Sequence, residues 1–309
     1  MLTADQIADR TERAVRAAQS AARRLGLAVD APRVLHDVFS VVVHLAPAPV
    51  VVRVPTVLPP AFVAAPGRQS AQQRAELAVA GWLADRGHPV VAPSPLVPRE
   101  PVRHEGFSMT FWQYVEEVPR TEIDIAHGCR RTAHLHAALL EYDGTGLRFW
   151  SPFNRAIPAA LATLLDRPDL LPAQDVRRAQ REWGALQPVL GSRSEFEAAF
   201  PGRGVQTLHG DAPFYNIIGT ADGDLWSDFE MVTLGAVESD LAMAGPDGIE
   251  AYNQTAVELG LRRLDDQVLR VTEAAGRLAA VAALAMAPQL PMLLDALAPV
   301  IDQWRAAPG

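Results

Sequence analysis

One short segment, Leu208–Glu230, concentrates the polar side chains of this sequence that are best suited to chemistry. Asp211 and Asn216 lie five residues apart, and Asp228 follows after two short apolar runs. These runs flank Thr220–Asp224, a turn-forming sequence that predicts a β-hairpin. We expect the hairpin to bring Asn216 and Asp228 to the same end of two adjacent strands.

The donor atoms of this segment favour a particular chemistry. An amide oxygen and a carboxylate that converge form a hard, oxygen-only site suited to Mg²⁺, and Asp211 would stand beside it. Phosphoryl transfer needs this arrangement, because the protein must hold a metal-bound triphosphate in line with a hydroxyl and accept the proton of that hydroxyl. The same residues also suit a hydrolase in which Asp211 and Asp228 act as a carboxylate pair without a nucleotide.

Composition narrows the classes of protein that the chain can form. The chain has 309 residues, a formal net charge of −8 and 28 basic residues, all of them arginine. The absence of lysine excludes a P-loop lysine, a Schiff-base lysine and a lysine general base. The negative charge argues against a nucleic-acid partner, which usually needs a basic face.

Features that would indicate export or a membrane are missing from the sequence. The N-terminal residues include many charged side chains and show no secretory pattern. The most apolar segment, Leu278–Val300, is interrupted by Pro288, Pro291 and Asp295, so it is a poor membrane span. The single Cys129 fits a reducing compartment. We therefore expect a cytoplasmic protein without a membrane partner, and no signal distinguishes a monomer from a dimer.

The elements that must position the polar segment fall into two groups. The first part of the chain is rich in β-branched runs, and its pattern predicts helices at 3–25 and 71–86, strands at 34–35, 40–45, 50–54 and 107–115, and a loop at 55–69. The second part predicts helices at 125–142, 156–165, 173–190, 249–261 and 264–287. We expect two lobes, residues 1–118 and 119–309, joined near Glu116–Thr121, and ligand clefts favour such junctions.

The motifs of the polar segment resemble those of a known family. An order of His-x-Asp-x-x-x-x-Asn followed by Asp-Phe is the catalytic-loop and metal-loop signature of the kinase-like fold. Here His209-Gly210-Asp211 and Asp228-Phe229-Glu230 resemble the aminoglycoside phosphotransferase and choline kinase family. The similarity extends to Val51–Val54, Glu76, Leu135–Leu139, Gly235 and Ser239–Ala242.

This resemblance implies an α+β, two-lobed protein-kinase-like fold, with a small antiparallel β lobe and a larger helical lobe. It implies transfer of a phosphoryl group from ATP, or GTP, to a hydroxyl of a small molecule such as an amino sugar or amino alcohol. Asp211 would be the catalytic base, and Asn216 and Asp228 would hold Mg²⁺. Asp240 would tie down the backbone of the catalytic loop, beneath which His209 would pack.

The resemblance also implies a set of nucleotide-binding residues. Arg53 would replace the usual strand lysine on the α- and β-phosphates, with Glu76 fixing the plane of its guanidinium bidentately. Ser40 would contact phosphate, and Tyr114 and Val115 would lie near the adenine, which such segments read with backbone groups.

Two departures from the family pattern keep an alternative function open. The phosphate-covering turn, Asp37–Ser40, contains no glycine, and the catalytic loop carries the bulky sequence Ala212–Tyr215. A nucleotide-binding pseudokinase without turnover is therefore the alternative interpretation.

Overall fold

A five-stranded antiparallel sheet forms the smaller part of the molecule, seen in a computed structural model that describes residues 1–119 and 122–307. The strand order is β1-β2-β3-β5-β4, with β1 at Val29–Asp37, β2 at Ser40–Pro47, β3 at Val50–Pro55, β4 at Val102–His104 and β5 at Phe107–Gln113. Alternate valines of β2 and β3 are buried against helix α1 (Ala4–Arg24). The period-2 pattern leaves the opposite face of these strands for the cleft.

The stretch between β3 and β4 corrects one prediction. A loop is predicted at 55–69, but a short helix α2 occupies Pro60–Ala64 and the longer helix α3 runs from Pro66 to Asp85. Both helices have a proline in their first turn. Proline has the backbone angle of a helix start and lacks only an N–H that would be unpaired there, so a Pro-rich stretch can begin helices as well as break them.

The larger part is mainly helical, as predicted. Its helices are α4 (Ile125–Leu139), α5 (Ser151–Leu165), α6 (Ala173–Leu190), α7 (Arg193–Ala199), α8 (Gly245–Glu258), α9 (Asp266–Ala283) and α10 (Leu293–Ala306). Short strands in the polar segment form two ribbons, β6 (Gln206–Leu208) with β9 (Thr233–Gly235) and β7 (Ile217–Thr220) with β8 (Gly223–Trp226). A core built around Trp150, Trp183 and Trp304 packs α5, α6, α9 and α10 together beneath these ribbons.

Two sets of hydrogen bonds link the two parts. In the first, the Val118 N–H donates to the Gly219 carbonyl (2.8 Å). In the second, the side chain of Gln289 binds both the N–H (3.1 Å) and the carbonyl (2.8 Å) of Leu58. The predicted junction at 116–121 includes Arg120 and Thr121, which lie outside the described residues.

The helices of the described residues include none that is long and apolar enough to cross a membrane.

Helix α4 packs directly on the loop that carries Asp211. A methyl group at Gly128 would lie 2.5 Å from the Pro213 carbonyl oxygen, which is far closer than real carbon–oxygen contacts. Helix α6 offers a matched glycine, since a methyl group at Gly184 would meet no atom of the described residues within 4 Å. The close approach of α4 therefore requires a glycine, although glycine weakens a helix.

We predict opposite effects of alanine at these two helical positions. Gly184→Ala should raise the free energy of unfolding by about 0.5–1 kcal/mol, since alanine is the better helix former. Gly128→Ala should lower it by about 1–3 kcal/mol, because the loop must shift to admit the methyl group. Urea unfolding measures both, and stabilisation by both substitutions would contradict the packing of α4 on the loop.

Candidate active site

The β7–β8 hairpin has the geometry that the sequence predicts. Ile217 pairs with Trp226, and a two-residue turn connects Thr220 to Gly223. One step beyond the paired strands, the Ser227 N–H donates to the Asn216 carbonyl (2.8 Å). Asn216 and the residue that precedes Asp228 therefore lie side by side at the same end of the hairpin.

Asn216 and Asp211 form one hydrogen-bonded unit. The Asn216 amide nitrogen donates to the Asp211 carbonyl (2.9 Å) and to the Asp211 carboxylate (3.0 Å). These two bonds fix the amide, so that its oxygen is the end left for a cation. A carboxylate and an amide oxygen are thus held in one orientation without any ligand.

The surroundings of Asp211 raise the pKa of its carboxyl. The main cause is that neighbouring groups displace water from the carboxyl, although the residue as a whole is exposed at the mouth of the cleft. Asp228 and Asp240 add to the rise, while His209 and the Asn216 amide oppose it. A carboxylate with a raised pKa is better matched to accepting a hydroxyl proton near neutral pH.

A buried carboxylate holds the backbone on which Asp211 stands. Asp240 accepts hydrogen bonds from the N–H groups of Gly210 (2.9 Å) and His209 (3.1 Å), and its second oxygen also contacts the buried His136 ring (3.0 Å). The other His136 nitrogen contacts the Tyr252 hydroxyl (2.9 Å). The predicted tie between Asp240 and the catalytic loop is confirmed.

His209 packs beneath the loop, also as predicted. Its ring is buried, lies 4.7 Å from the Phe229 ring and binds the Ser227 carbonyl (2.9 Å). The next residue, Gly210, has φ +86°, and a methyl group there would lie 2.0 Å from the Met231 carbonyl oxygen. Only glycine fits this crossing of the catalytic loop and the chain after Asp228.

Asp228 stands in a backbone conformation that few residues adopt. Its φ and ψ are 58° and 56°, in the left-handed region, which costs a residue with a Cβ roughly 1–2 kcal/mol. The Asp228 oxygen Oδ1 is buried, and no hydrogen-bond partner for it occurs among the described residues. Strain together with a buried, unpaired carboxylate oxygen marks a position held for a ligand.

Arg53 reaches three carboxylates. Its Nη2 lies 3.1 Å from Asp228 Oδ1 and in close contact with Glu230 Oε2, whereas its Nη1 lies 3.6 Å from Glu76 Oε1. The prediction that Glu76 holds the guanidinium bidentately is therefore wrong, because 3.6 Å exceeds hydrogen-bonding distance. Sequence reasoning also gave no role to Glu230, although a glutamate in place of the glycine of Asp-Phe-Gly was the available signal.

Burial and charge oppose each other in this cluster. Burial alone would lower the pKa of Arg53, but Asp228, Glu230 and Glu76 together raise it. Burial raises the pKa of Glu76 to about 8, although Arg53 opposes the shift. Burial likewise raises the pKa of Glu230. A divalent cation close to this cluster would favour the charged forms of these carboxyl groups and so lower their pKa values.

The donor set fits a magnesium ion that is shared with phosphate oxygens. Across 1–119 and 122–307, no three His, Cys, Asp or Glu side chains are grouped so that they could hold a metal ion. Mg²⁺ is usually bound by one or two carboxylates together with substrate phosphates. The amide oxygen of Asn216 and Asp228 Oδ1, which accepts no hydrogen bond within the described residues but has Arg53 as a charged neighbour, are hard oxygen donors of this kind.

Apolar side chains of the sheet and of the hairpin lie close together. Val51, Trp112 and Val115 of the smaller part belong to one hydrophobic cluster with Ile217 and Ile218 of the hairpin. Apolar surfaces of this kind suit the faces of a planar ring system.

Tyr114 and Ser40 complete the set of predicted nucleotide-binding residues. The Tyr114 ring stacks on His44 at 3.9 Å, and its N–H donates to the Pro49 carbonyl (3.0 Å), so this backbone donor is already engaged. The Ser40 hydroxyl is buried, without a hydrogen-bond partner in the described part of the chain. Ser40 starts β2, and its register partner on β3 is Pro55, two residues from Arg53.

A cavity of about 190 Å³ adjoins the catalytic loop. Its walls include Phe214 and Tyr215 of that loop and Asp124 and His127 at the start of α4. His127 contacts the Asp224 carboxylate at 2.5 Å. Asp224, which the sequence analysis placed in the predicted turn, therefore also links the hairpin to α4.

Comparison with known proteins extends these observations. The model of the phosphotransferase enzyme family matches residues 41–280. No curated protein sequence matches the chain.

Solved structures similar to the chain include kinases of several small molecules. Aminoglycoside phosphotransferase APH(3'')-Id from Streptomyces rimosus, in complex with ADP and streptomycin, has 18% identity over 85% of this chain and 97% of its own, with TM-score 0.52. A choline/ethanolamine kinase family protein from Mesorhizobium loti has 14% identity over 94% of this chain and 95% of its own, with TM-score 0.59. Choline kinase LicA from Streptococcus pneumoniae has 11% identity over 92% of this chain and 98% of its own, with TM-score 0.61. At such identities the likeness shows the fold, and it confirms the two-lobed kinase-like architecture.

The raised pKa of Glu76 predicts how stability depends on pH. The folded chain holds the Glu76 proton more tightly than the unfolded chain. Its contribution to the free energy of unfolding is therefore complete below pH 4.5 and is lost as the pH rises to about 8. In EDTA, Glu76→Gln should reduce the loss of stability between pH 5 and 8, by up to about 1.4 kcal/mol per pH unit. Urea unfolding across this range tests it, with the exposed Glu100→Gln as the control, and equal slopes in wild type and Glu76→Gln would refute it.

Proposed function

Because the chain belongs to the phosphotransferase enzyme family, we propose that it transfers the γ-phosphoryl group of ATP, or GTP, to a hydroxyl of a small molecule with Mg²⁺. The hydrogen-bonded unit of Asp211 and Asn216, together with the nearby Asp228 carboxylate, carries this proposal. It supplies a proton acceptor and two hard oxygen donors, which are the groups that phosphoryl transfer requires.

The acceptor hydroxyl would donate its proton to Asp211. The raised pKa of this carboxyl favours proton acceptance, and the bond from Asn216 orients it before any ligand arrives. Asp240 fixes the loop backbone, so the carboxylate keeps its place during the reaction. Preorganisation of this kind removes the cost of aligning the reacting groups.

The phosphates would be held by charge and by hard oxygen donors. Asn216 and Asp228 would bind Mg²⁺, which neutralises charge on the transferring phosphoryl group. Arg53 Nη1 has no hydrogen-bond partner among residues 1–119 and 122–307 and is buried, so it is available to a phosphate oxygen. Ser40 has an unpaired hydroxyl on the same part of the sheet, and we assign it to phosphate as well.

The nucleoside would lie against the apolar cluster shared by the two lobes, 1–118 and 119–309, with Tyr114 and Val115 near the base. Two relatives support a nucleotide ligand, since one solved structure contains ADP and another, of LicA, contains AMP. Relatives are described as kinases of aminoglycosides, macrolides and choline, so we propose an amino sugar, amino alcohol or similar acceptor. A nucleoside triphosphate donor agrees with the cytoplasmic location that we propose.

One contact favours a second candidate function, nucleotide binding without turnover. Arg53 Nη2 lies 3.1 Å from the carboxylate proposed to bind Mg²⁺, and an ion pair there would oppose metal binding. The glycine-free turn at Asp37–Ser40 points in the same direction. A nucleotide-binding protein without turnover would bind ADP but consume no ATP with any acceptor.

The reaction can be tested by ATP and GTP consumption across a panel of amino sugars, amino alcohols and nucleosides in Mg²⁺. With an acceptor that supports turnover, Asp211→Asn should lower kcat by about 10²–10⁴-fold, because the proton acceptor is lost. ADP affinity, measured by calorimetry, should stay within about twofold. Loss of ADP affinity in this variant would instead identify Asp211 as a metal ligand. Unchanged kcat would refute its role as base.

The metal assignment gives a separate prediction for Asp228. Asp228→Ala should abolish the increase in ADP affinity that Mg²⁺ produces, because the carboxylate aimed at the cation is gone. The control is Asp302→Ala, which removes an exposed carboxylate of α10. Calorimetric ADP titrations with and without Mg²⁺ measure the effect, and equal Mg²⁺ dependence in Asp228→Ala and wild type would contradict the assignment.

A further inference from the structure

Arg53 creates a conflict at the proposed metal site. Its Nη2 lies 3.1 Å from Asp228 Oδ1, the same oxygen that lacks any other partner in the described part of the chain. A guanidinium carries its charge on a broad planar fork, whereas a lysine ammonium is a compact point charge. An arginine on β3 therefore competes with a divalent cation for the Asp228 carboxylate.

Glu76 does not resolve this competition. It lies on the Nη1 side of the guanidinium, 3.6 Å from Nη1, and both its oxygens lack hydrogen-bond partners in the described residues. It therefore offers nothing to Nη2, the nitrogen that approaches Asp228. Another group must hold Nη2 when a cation binds Asp228, because a buried charged donor without a partner is costly.

Glu230 is placed to supply that group. Its Oε2 makes the closest of the three carboxylate contacts to Arg53, and this contact is to Nη2. Two neighbours fix the position of its backbone. The side chain of Gln72 on α3 donates to the Glu230 carbonyl, and the preceding Phe229 is fully buried. The glutamate therefore stands on an anchored turn rather than on a free loop.

We propose that Glu230 is a positioning residue that holds Arg53 Nη2 and so leaves Asp228 free for the metal ion. The guanidinium would keep Nη2 on Glu230 while Nη1 serves the phosphates, and Asp228 would turn to the cation. The inference rests on the proposed function, since it assumes Mg²⁺ at Asp228. Arg53 and Glu230 then form a matched pair: because the arginine side chain is long enough to contact Asp228, the glutamate is needed to hold it away from the metal ligand.

The competing explanation is that Glu230 itself binds the metal. The two roles differ in their dependence on Arg53. A metal ligand acts whatever residue stands at position 53, whereas a residue that restrains Arg53 is needed only while the arginine is present. A double-mutant cycle measures this coupling directly.

The experiment measures the Mg²⁺ concentration that gives half of the full increase in ADP affinity, by calorimetry. Glu230→Gln removes the charge but keeps the shape, and it should raise this concentration about tenfold, since Asp228 becomes the remaining carboxylate partner of Nη2. In the Arg53→Lys background the same substitution should change it less than about twofold. Arg53→Gln provides a second background, and thermal unfolding verifies that each variant is folded.

Two further variants sharpen the result. Glu230→Asp should recover most of the wild-type response, because it restores a carboxylate beside the guanidinium. Glu100→Gln, which removes an exposed carboxylate paired with Arg74, should leave the response unchanged.

Two outcomes would overturn the inference while leaving the proposed function intact. The first is an equal increase in both backgrounds, which would make Glu230 a metal ligand. The second is no increase in the wild-type background. If the wild-type protein shows no Mg²⁺-dependent ADP binding at all, the proposed function itself fails, and this inference fails with it.

Discussion

A single buried guanidinium links the sheet to the loop that follows the hairpin. Arg53 stands on β3, Glu76 on α3, and Asp228 and Glu230 on the turn after β8. Three carboxyl groups crowd around this one positive charge in a region shielded from water, and burial raises the pKa of Glu76 and of Glu230. The function that we propose brings a metal-bound nucleotide against this cluster.

Asp240, another buried carboxylate of the site, differs from those around Arg53. Asp240 is satisfied by two backbone N–H groups and by His136, so its charge is used entirely inside the protein. Such charge-assisted bonds are stronger than neutral ones and hold the catalytic loop rigidly. The site thus combines one carboxylate that is fully hydrogen-bonded to the protein with other carboxylate oxygens that have no hydrogen-bond partner in the described residues. The first holds the loop in place, and the others are the groups that the proposed ligand would contact.

The fold brings these groups together from distant parts of the chain. The sheet is joined to the helical part by the bond from Val118 to Gly219 and by the bonds between Gln289 and Leu58. Apolar side chains of the two parts, Val51, Val115 and Ile217 among them, belong to one hydrophobic cluster.

The sequence by itself determined the local chemistry of the site. The hairpin that carries Asn216 and Asp228 follows from short-range spacing, where turn preferences and strand register leave few alternatives. The tie from Asp240 was implied by the family resemblance, and the bonds from Asn216 to Asp211 were found only in the structure. The α+β division into a sheet and a helical part follows from hydrophobic periodicity. The helices within 55–69 were not predicted from the sequence, because proline can begin a helix as well as break one. Only the tertiary structure decided which carboxylate meets Arg53. Which partner a guanidinium at the end of a long side chain contacts depends on differences of about an ångström between its distances to the neighbouring carboxylates. Those distances depend on how α3, β3 and the metal loop pack, which no spacing along the chain encodes.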